Sequence, residues 1–191
     1  MSGETAEKII DVTHKLLVDR GFSAFSYADV AEAIQIRKAS IHHHFPTKAD
    51  LVAAVLERHR HRMEQAQAAL DQQVSSALDR LKKYVDYWES CIRSMKEPFC
   101  IAALLGAELP SLPAEVQTEV EKHFTSLRRW TSRTLKEGVR QGTLTLASSP
   151  DIEAEVFMAA VHGAMISARV HHSVSLFKHV TTNALQRITN K

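Results

Sequence analysis

The chain has 191 residues, of which 45% are hydrophobic and 24% charged, with a net charge of +2. That is the composition of a soluble globular protein of one or two small domains able to bury a core, and net charge alone points to no partner. No apolar run approaches the ~20 residues of a membrane span, and the acidic, polar start is no signal peptide. Two cysteines, Cys91 and Cys100, make no disulfide framework, so a reducing cytoplasmic setting is expected.

Helical signals run the length of the chain, and no alternating apolar run flanked by Asn-Gly or Asp-Gly turns suggests a hairpin. An all-α fold is expected. A first helix spans residues 4–20, with Ile9, Val12 and Leu16 on one face, Ile10 and Leu17 beside it, and Gly21 as its terminator. Ser26 and Asp29 form an S-x-x-D cap for a short helix over 27–33, and a third helix follows at 37–44. Thr47 and Asp50 repeat the cap, opening a fourth helix from Lys48 to about 72 that serves as a connector. A fifth helix covers 75–95, is broken at Lys96-Glu97-Pro98, and is followed by a short one over 99–108. Pro113 suits the opening of a long helix reaching 141, before Gly142. Ser149-Pro150-Asp151 caps a helix ending near 171, and a last one covers 173–188. The expected division is a small N-terminal three-helix domain over 1–50 and a larger helical domain over 51–191.

Val30, Ala31 and Ile34 form one apolar stripe, and Ile36, Ile41 and Phe45 its counterpart. Helices this short are not stable alone in water, so they share a core. Two such helices joined by a tight turn write a helix-turn-helix, whose second helix enters a DNA major groove. The segment also resembles the TetR family of bacterial transcriptional repressors. The resemblance covers about residues 7–55, from Ile9-Ile10 and Leu16-Leu17 through Arg20-Gly21-Phe22 to Phe45-Pro46-Thr47-Lys48. It implies an N-terminal three-helix DNA-binding domain, a C-terminal ligand-binding and dimerisation domain, and a dimeric repressor released from double-stranded operator DNA by a small-molecule effector. Two positions depart from the pattern. The turn, usually Gly, holds Gln35, where a left-handed backbone costs about 1 kcal/mol. The recognition-helix Tyr is His42, which bears on base preference.

Charge follows the same division. Residues 35–62 hold six basic side chains against two acidic ones, with five histidines, whereas residues 1–34 hold three basic against six acidic. A basic patch on the second helix is the electrostatic footprint of a DNA reader. Arg58, Arg60 and Arg62 lie ~15 Å beyond Lys48 along the helix and are read as a solvated face. The candidate DNA contacts are Arg37 and Lys38 to phosphate, Ala39 to a thymine methyl, Ser40 to a base edge or phosphate, and His42 and His43 to guanine acceptors or phosphate. The resemblance adds Lys48 as a phosphate grip, with Tyr27 in a similar place. Ile41 faces the core.

The other histidines suggest no metal site. His42, His43 and His44 point about 100° apart on a helix and do not converge, and no pair stands at i, i+4. His14 and His179 are read as surface residues. No cofactor is expected, and the absence of a phosphate loop, a Gly-x-Ser-x-Gly or paired carboxylates argues against an enzyme. A helical adaptor or an enzyme is the rival from another class.

A helical domain behind a DNA-reading head suggests a sensor. Its candidate effector residues are Tyr84, Trp88, Cys91, Phe99, Cys100, Leu104, Phe124, Leu127, Trp130, Met158, His162 and Met165. Aromatics and Met around one His suit an apolar cavity; the competing reading of each is plain core. The segment from Cys100 to Glu108 resembles one branch of TetR regulators that carry a Cys here, and a thiol in the first turn of a helix has its pKa lowered by the dipole. Cys100 is thereby a candidate redox or electrophile sensor, or else a buried structural thiol. The helix from Asp151 is rich in small residues (Ala154, Ala159, Ala160, Gly163, Ala164, Ser167, Ala168), with Val156, Phe157, Val161 and Met165 to bury. With the last helix it is the expected homodimer interface, since a two-fold operator is read by a two-fold protein.

Overall fold

A computed structural model describes residues 2–95 and 99–189. Among these residues the chain forms nine α-helices: α1 (Ser2–Arg20), α2 (Tyr27–Ile34), α3 (Lys38–His44), α4 (Lys48–Gln73), α5 (Ala77–Ser94), α6 (Ile101–Ala107), α7 (Ala114–Arg140), α8 (Pro150–Val170) and α9 (Val174–Ile188). A 3-10 turn, Leu109–Ser111, precedes α7, and an antiparallel bridge pairs Leu144 with Thr189. The all-α expectation holds. The expected break at Lys96-Glu97-Pro98 lies outside the described residues.

Local chemistry sets the helix ends. The Ser26 box closes both ways around α2: the Ala28 amide donates to Ser26 Oγ, and the Ser26 amide and hydroxyl both donate to Asp29 Oδ2, at 2.7 Å each. These bonds hold the Asp29 carboxyl at a pKa of about 2. The same box forms at α4, where the Thr47 amide donates to Asp50 and the Asp50 amide to Thr47 Oγ1. Ser76, Ser149 and Ser173 cap α5, α8 and α9. At the C-terminal end of α2, Gln35 adopts the left-handed backbone, φ 56° and ψ 43°, that the turn requires of it.

Two compact units emerge. The first comprises Met1–Arg62 and Cys100–Phe124; the second comprises Met63–Phe99 and Thr125–Lys191. The whole expected DNA-reading segment, residues 1–50, lies in the first unit, which also takes in the opening of α4, α6 and the opening of α7. In that unit α1 packs on α2, α3 and α6. Ile9, Leu17, Phe25, Val30, Ile41, Leu51 and Leu56 form its core. The buried stripe of α1 keeps the expected Ile9, Ile10 and Leu17 but is rotated away from Val12 and Leu16. Val12 and Leu16 are only half-buried, whereas Ile9, Ile10, Thr13, His14, Leu17 and Val18 are buried. Polar Thr13 and His14 hid this face from hydrophobic periodicity, and His14 is no surface residue.

The second unit is built on α5, α8 and α9, with α8 packed along α9 and α9 against α5. Its core includes Leu81, Tyr84, Trp88, Phe157, Val161, Met165 and Phe177. No helix is long and apolar enough to cross a membrane among the described residues.

Candidate nucleic-acid interface and effector region

α3 is a short helix with one side anchored. Ile41 is completely buried, while Arg37, Lys38, Ala39, His42 and His43 are exposed and Ser40 is half-buried. Ile41 is the single fully buried position of α3, with Ser40 and His44 half-buried beside it, so Lys38, Ala39, His42 and His43 are the side chains of this helix left exposed. Arg37 is the N-cap residue, with extended backbone and no side-chain cap bond, so its guanidinium is left to the surface. The basic run on α4 behaves differently. Arg58 is fastened to Glu7 and Asp11 of α1 at 2.7 Å each, and Arg60 lies 3.6 Å from the buried Glu119. Arg58 and Arg60 are therefore engaged in ion pairs within the chain, while Arg62 is exposed as expected, and the outward positive charge of α3 and its cap is that of Arg37 and Lys38.

Three of the expected DNA contacts have inward partners in this structure. The Tyr27 ring is buried and its hydroxyl donates to the Phe45 carbonyl at 2.8 Å, tying the start of α2 to the end of α3. Burial, with Asp50 adding a smaller effect, pushes that phenol up to about 12. The Lys48 ammonium donates to the Phe25 carbonyl at 2.5 Å and lies 4.2 Å from the Phe25 ring centroid and 4.7 Å from that of Phe22. Partial burial lowers its pKa below that of an ordinary lysine. Lys48 thus holds the α1–α2 loop with one of its three N–H donors while remaining half-buried. His42 stacks 4.7 Å from Tyr27, and its Nδ1 lies 3.2 Å from the Pro46 carbonyl. A carbonyl only accepts, so Nδ1 is the donor in this contact.

The twelve effector candidates separate by unit. In the second unit Tyr84, Trp88, Phe99, Leu127, Trp130, Met158 and Met165 are buried, and Cys91 and His162 are half-buried. Tyr84 packs 5.6 Å from Trp130 and 6.3 Å from Phe157, and the Trp130 indole donates to Asp71 at 3.1 Å. The indole nitrogen of Trp88 is buried with no hydrogen-bond partner among the described residues. Burial pulls the His162 pKa down to about 4, so its ring is neutral at physiological pH. Tyr84 also lines an apolar cavity of about 280 Å³ with Met63, Leu70 and Tyr87, and a cleft of about 640 Å³ opens between α5 and α9. Sequence periodicity did not single out Met63, Leu70 or Tyr87, which are ordinary members of amphipathic helices.

In the first unit Cys100 is buried, with Leu104 and Phe124 half-buried. The thiol is not activated by its place at the helix start. Backbone amides of Ala102 and Ala103 do favour the thiolate, but burial outweighs them and pushes the thiol up to about 11. No motif spacing pointed to what surrounds it. Cys100 Sγ lies 3.7 Å from His59 Nε2 and 3.6 Å from His123 Nε2, and all three side chains are buried.

Comparison with known proteins accounts for most of the chain. Residues 9–55 match the model of bacterial regulatory proteins of the tetR family, and residues 77–184 match the tetracyclin repressor-like C-terminal domain. A crystal structure of a TetR-family transcriptional regulator from Agrobacterium tumefaciens is 42% identical, with a TM-score of 0.97 and full coverage of both chains. The HTH-type transcriptional repressor NemR of Escherichia coli K12 is 23% identical over 98% of this chain and 93% of its own. The transcriptional regulator AcuR of Cereibacter sphaeroides is 26% identical over 81% of this chain and 71% of its own. Two family domains in the order the fold requires, with the exposed α3, make the assignment: the chain belongs to the TetR family of bacterial transcriptional regulators.

Proposed function

We propose that this DNA-binding regulator is a dimeric repressor that reads a two-fold operator through α3 of each subunit and lets go when a small molecule enters the second unit. The observation that carries it is α3 itself, pinned by Ile41 and exposing Lys38, Ala39, His42 and His43, with Arg37 and Lys38 at its start. The dimer has its own support. Along α8, Ile152, Val156, Ala159, Gly163, Ile166 and Val170 are exposed at alternating steps of four and three, a continuous apolar seam with small residues at its centre. Phe157, Val161 and Met165, expected in that interface, are instead buried within the chain. A second copy laying its own α8 along the seam buries both, and two-fold symmetry sets two α3 helices for successive major grooves. For the effector, the largely apolar lining of the Tyr84 cavity favours a small, largely apolar molecule.

The reading is tested by retardation of DNA from upstream of the chain's own gene at several salt concentrations. A dimer touching roughly 6–10 phosphates loses affinity with a logarithmic slope near −0.9 per phosphate. Lys38→Ala should weaken binding to all sequences and flatten the slope by about one unit for each phosphate no longer neutralised. No retardation, or retardation indifferent to salt, overturns the reading. The alternative of a Cys100 redox or electrophile sensor draws support from the two imidazoles beside the sulfur, but burial of the thiol and its raised pKa weigh against rapid attack on a solution electrophile.

A further inference from the structure

We infer that His59, Cys100 and His123 form a binding site for one thiophilic d10 metal ion, zinc(II) or copper(I), inside the first unit. The site does not depend on α3 reading DNA. His59 comes from α4, Cys100 from the cap of α6 and His123 from α7, and their ligand atoms all lie within 4.8 Å of one another. Both sulfur–nitrogen separations match those of a coordination shell. Metal–sulfur and metal–nitrogen bonds of about 2.3 and 2.05 Å at a tetrahedral angle place sulfur about 3.6 Å from each nitrogen. The two separations here are 3.7 and 3.6 Å. A thiol that donates to one imidazole and accepts from the other gives separations of the same length, so the assignment to a metal rests on the convergence of one sulfur and two imidazoles in a buried site.

The donor set also selects the ion. One sulfur and two imidazoles, with no carboxylate among the three, suit zinc and copper and reject magnesium, calcium and manganese. All three side chains are 3% exposed or less, so the site is dry and its ligands are held by packing. On binding, the Cys100 S–H bond breaks, the sulfur donates its pair to the ion, and the proton leaves to water. Three protein ligands leave a fourth tetrahedral position for a small exogenous ligand. The ion joins three helices of the first unit, the one that carries α3, and so sits where its occupancy bears on the rigidity of the DNA-reading elements.

The test uses the full chain, reduced and stripped with a chelator, titrated with Co2+ as a spectroscopic probe. Expected are one equivalent bound per chain, a near-ultraviolet thiolate-to-cobalt charge-transfer band, and visible bands of tetrahedral strength. Zn2+ should displace the cobalt stoichiometrically, and a parallel titration with Cu+ against a chromogenic chelator distinguishes the two ions. Cys100→Ser should abolish the charge-transfer band, and His59→Gln and His123→Gln should each weaken Co2+ binding by about 100-fold. Cys91→Ser should leave the band intact, and replacing His42, His43 and His44 together by Gln should leave it unchanged. Circular dichroism of each metal-free variant checks that its fold is kept, and the two His→Gln variants carry the test if Cys100→Ser unfolds. Cobalt bound without a thiolate band, a band that disappears with Cys91 instead of Cys100, or binding that disappears with the exposed histidines each overturns the inference.

Discussion

Gly21→Ala is predicted to destabilise the protein through two separable effects. Gly21 ends α1 with φ +72°, where a Cβ is penalised by about 1 kcal/mol. That Cβ would also lie 2.5 Å from Glu108 Oε1. Glu108 does not swing away freely, because its Oε2 accepts the Phe22 amide at 3.3 Å. Displacing it forfeits a charge-assisted hydrogen bond worth about 1.5 kcal/mol. The combined loss is about 2.5 kcal/mol, which for a chain of this length lowers Tm by about 5–10 °C. Gly142 supplies the control: it has φ +69°, and nothing lies within 4 Å of the place an alanine Cβ would take. Gly142→Ala should therefore cost only the backbone strain, about 2–4 °C. Thermal unfolding followed by circular dichroism measures both, and in a Glu108→Ala background the Gly21→Ala penalty should fall to that of Gly142→Ala. Equal losses for the two glycines in the wild-type background refute the role given to Glu108.

Other measurements address the cap and the interface. The Asp29 carboxyl is held at about 2, against 3.8 for the free group, chiefly by its bonds from Ser26. A folded pKa below the unfolded one stabilises above pH 3.8, and that stabilisation disappears as pH falls through about 2. Urea midpoints of wild type and Asp29→Asn should differ fully above about pH 4 and converge toward about pH 2; a gap that does not depend on pH rules out the carboxylate as its source. Ile166→Glu places two like charges across the proposed two-fold seam and should weaken dimerisation by roughly 3 kcal/mol, about a hundredfold. Analytical ultracentrifugation reads this directly, and an unchanged dimer removes α8 from the interface.

The helices were legible in the sequence because their ends are local events. Ser26 with Asp29, Thr47 with Asp50, and Ser149 before Pro150 each satisfy amides only two or three residues away, so neighbouring residue types suffice to place a helix start. The recognition helix was equally legible, since the single fully buried residue Ile41 and the two cations before it lie within five residues. The twelve effector candidates were less so: helical periodicity marks them as inward-facing but does not tell a cavity wall such as Tyr84 from packed core such as Met158.

Everything long-range waited for the tertiary structure. Lys48 and Tyr27 read as outward polar residues, yet carbonyls 23 and 18 positions away claim them, because a backbone acceptor left in a loop attracts whichever donor the fold brings near. Arg58 reads as a solvated cation until α1 is laid beside it with Glu7 and Asp11. Alternation along α8 shows an apolar helix in the sequence, but only packing against α9 decides that Phe157 is consumed inside the chain while Val156 and Ile166 remain for a partner. The His59, Cys100 and His123 cluster is the extreme case. Its members are separated by 41 and 23 residues, no motif spacing links them, and their convergence exists only because three helices cross at one point in the first unit.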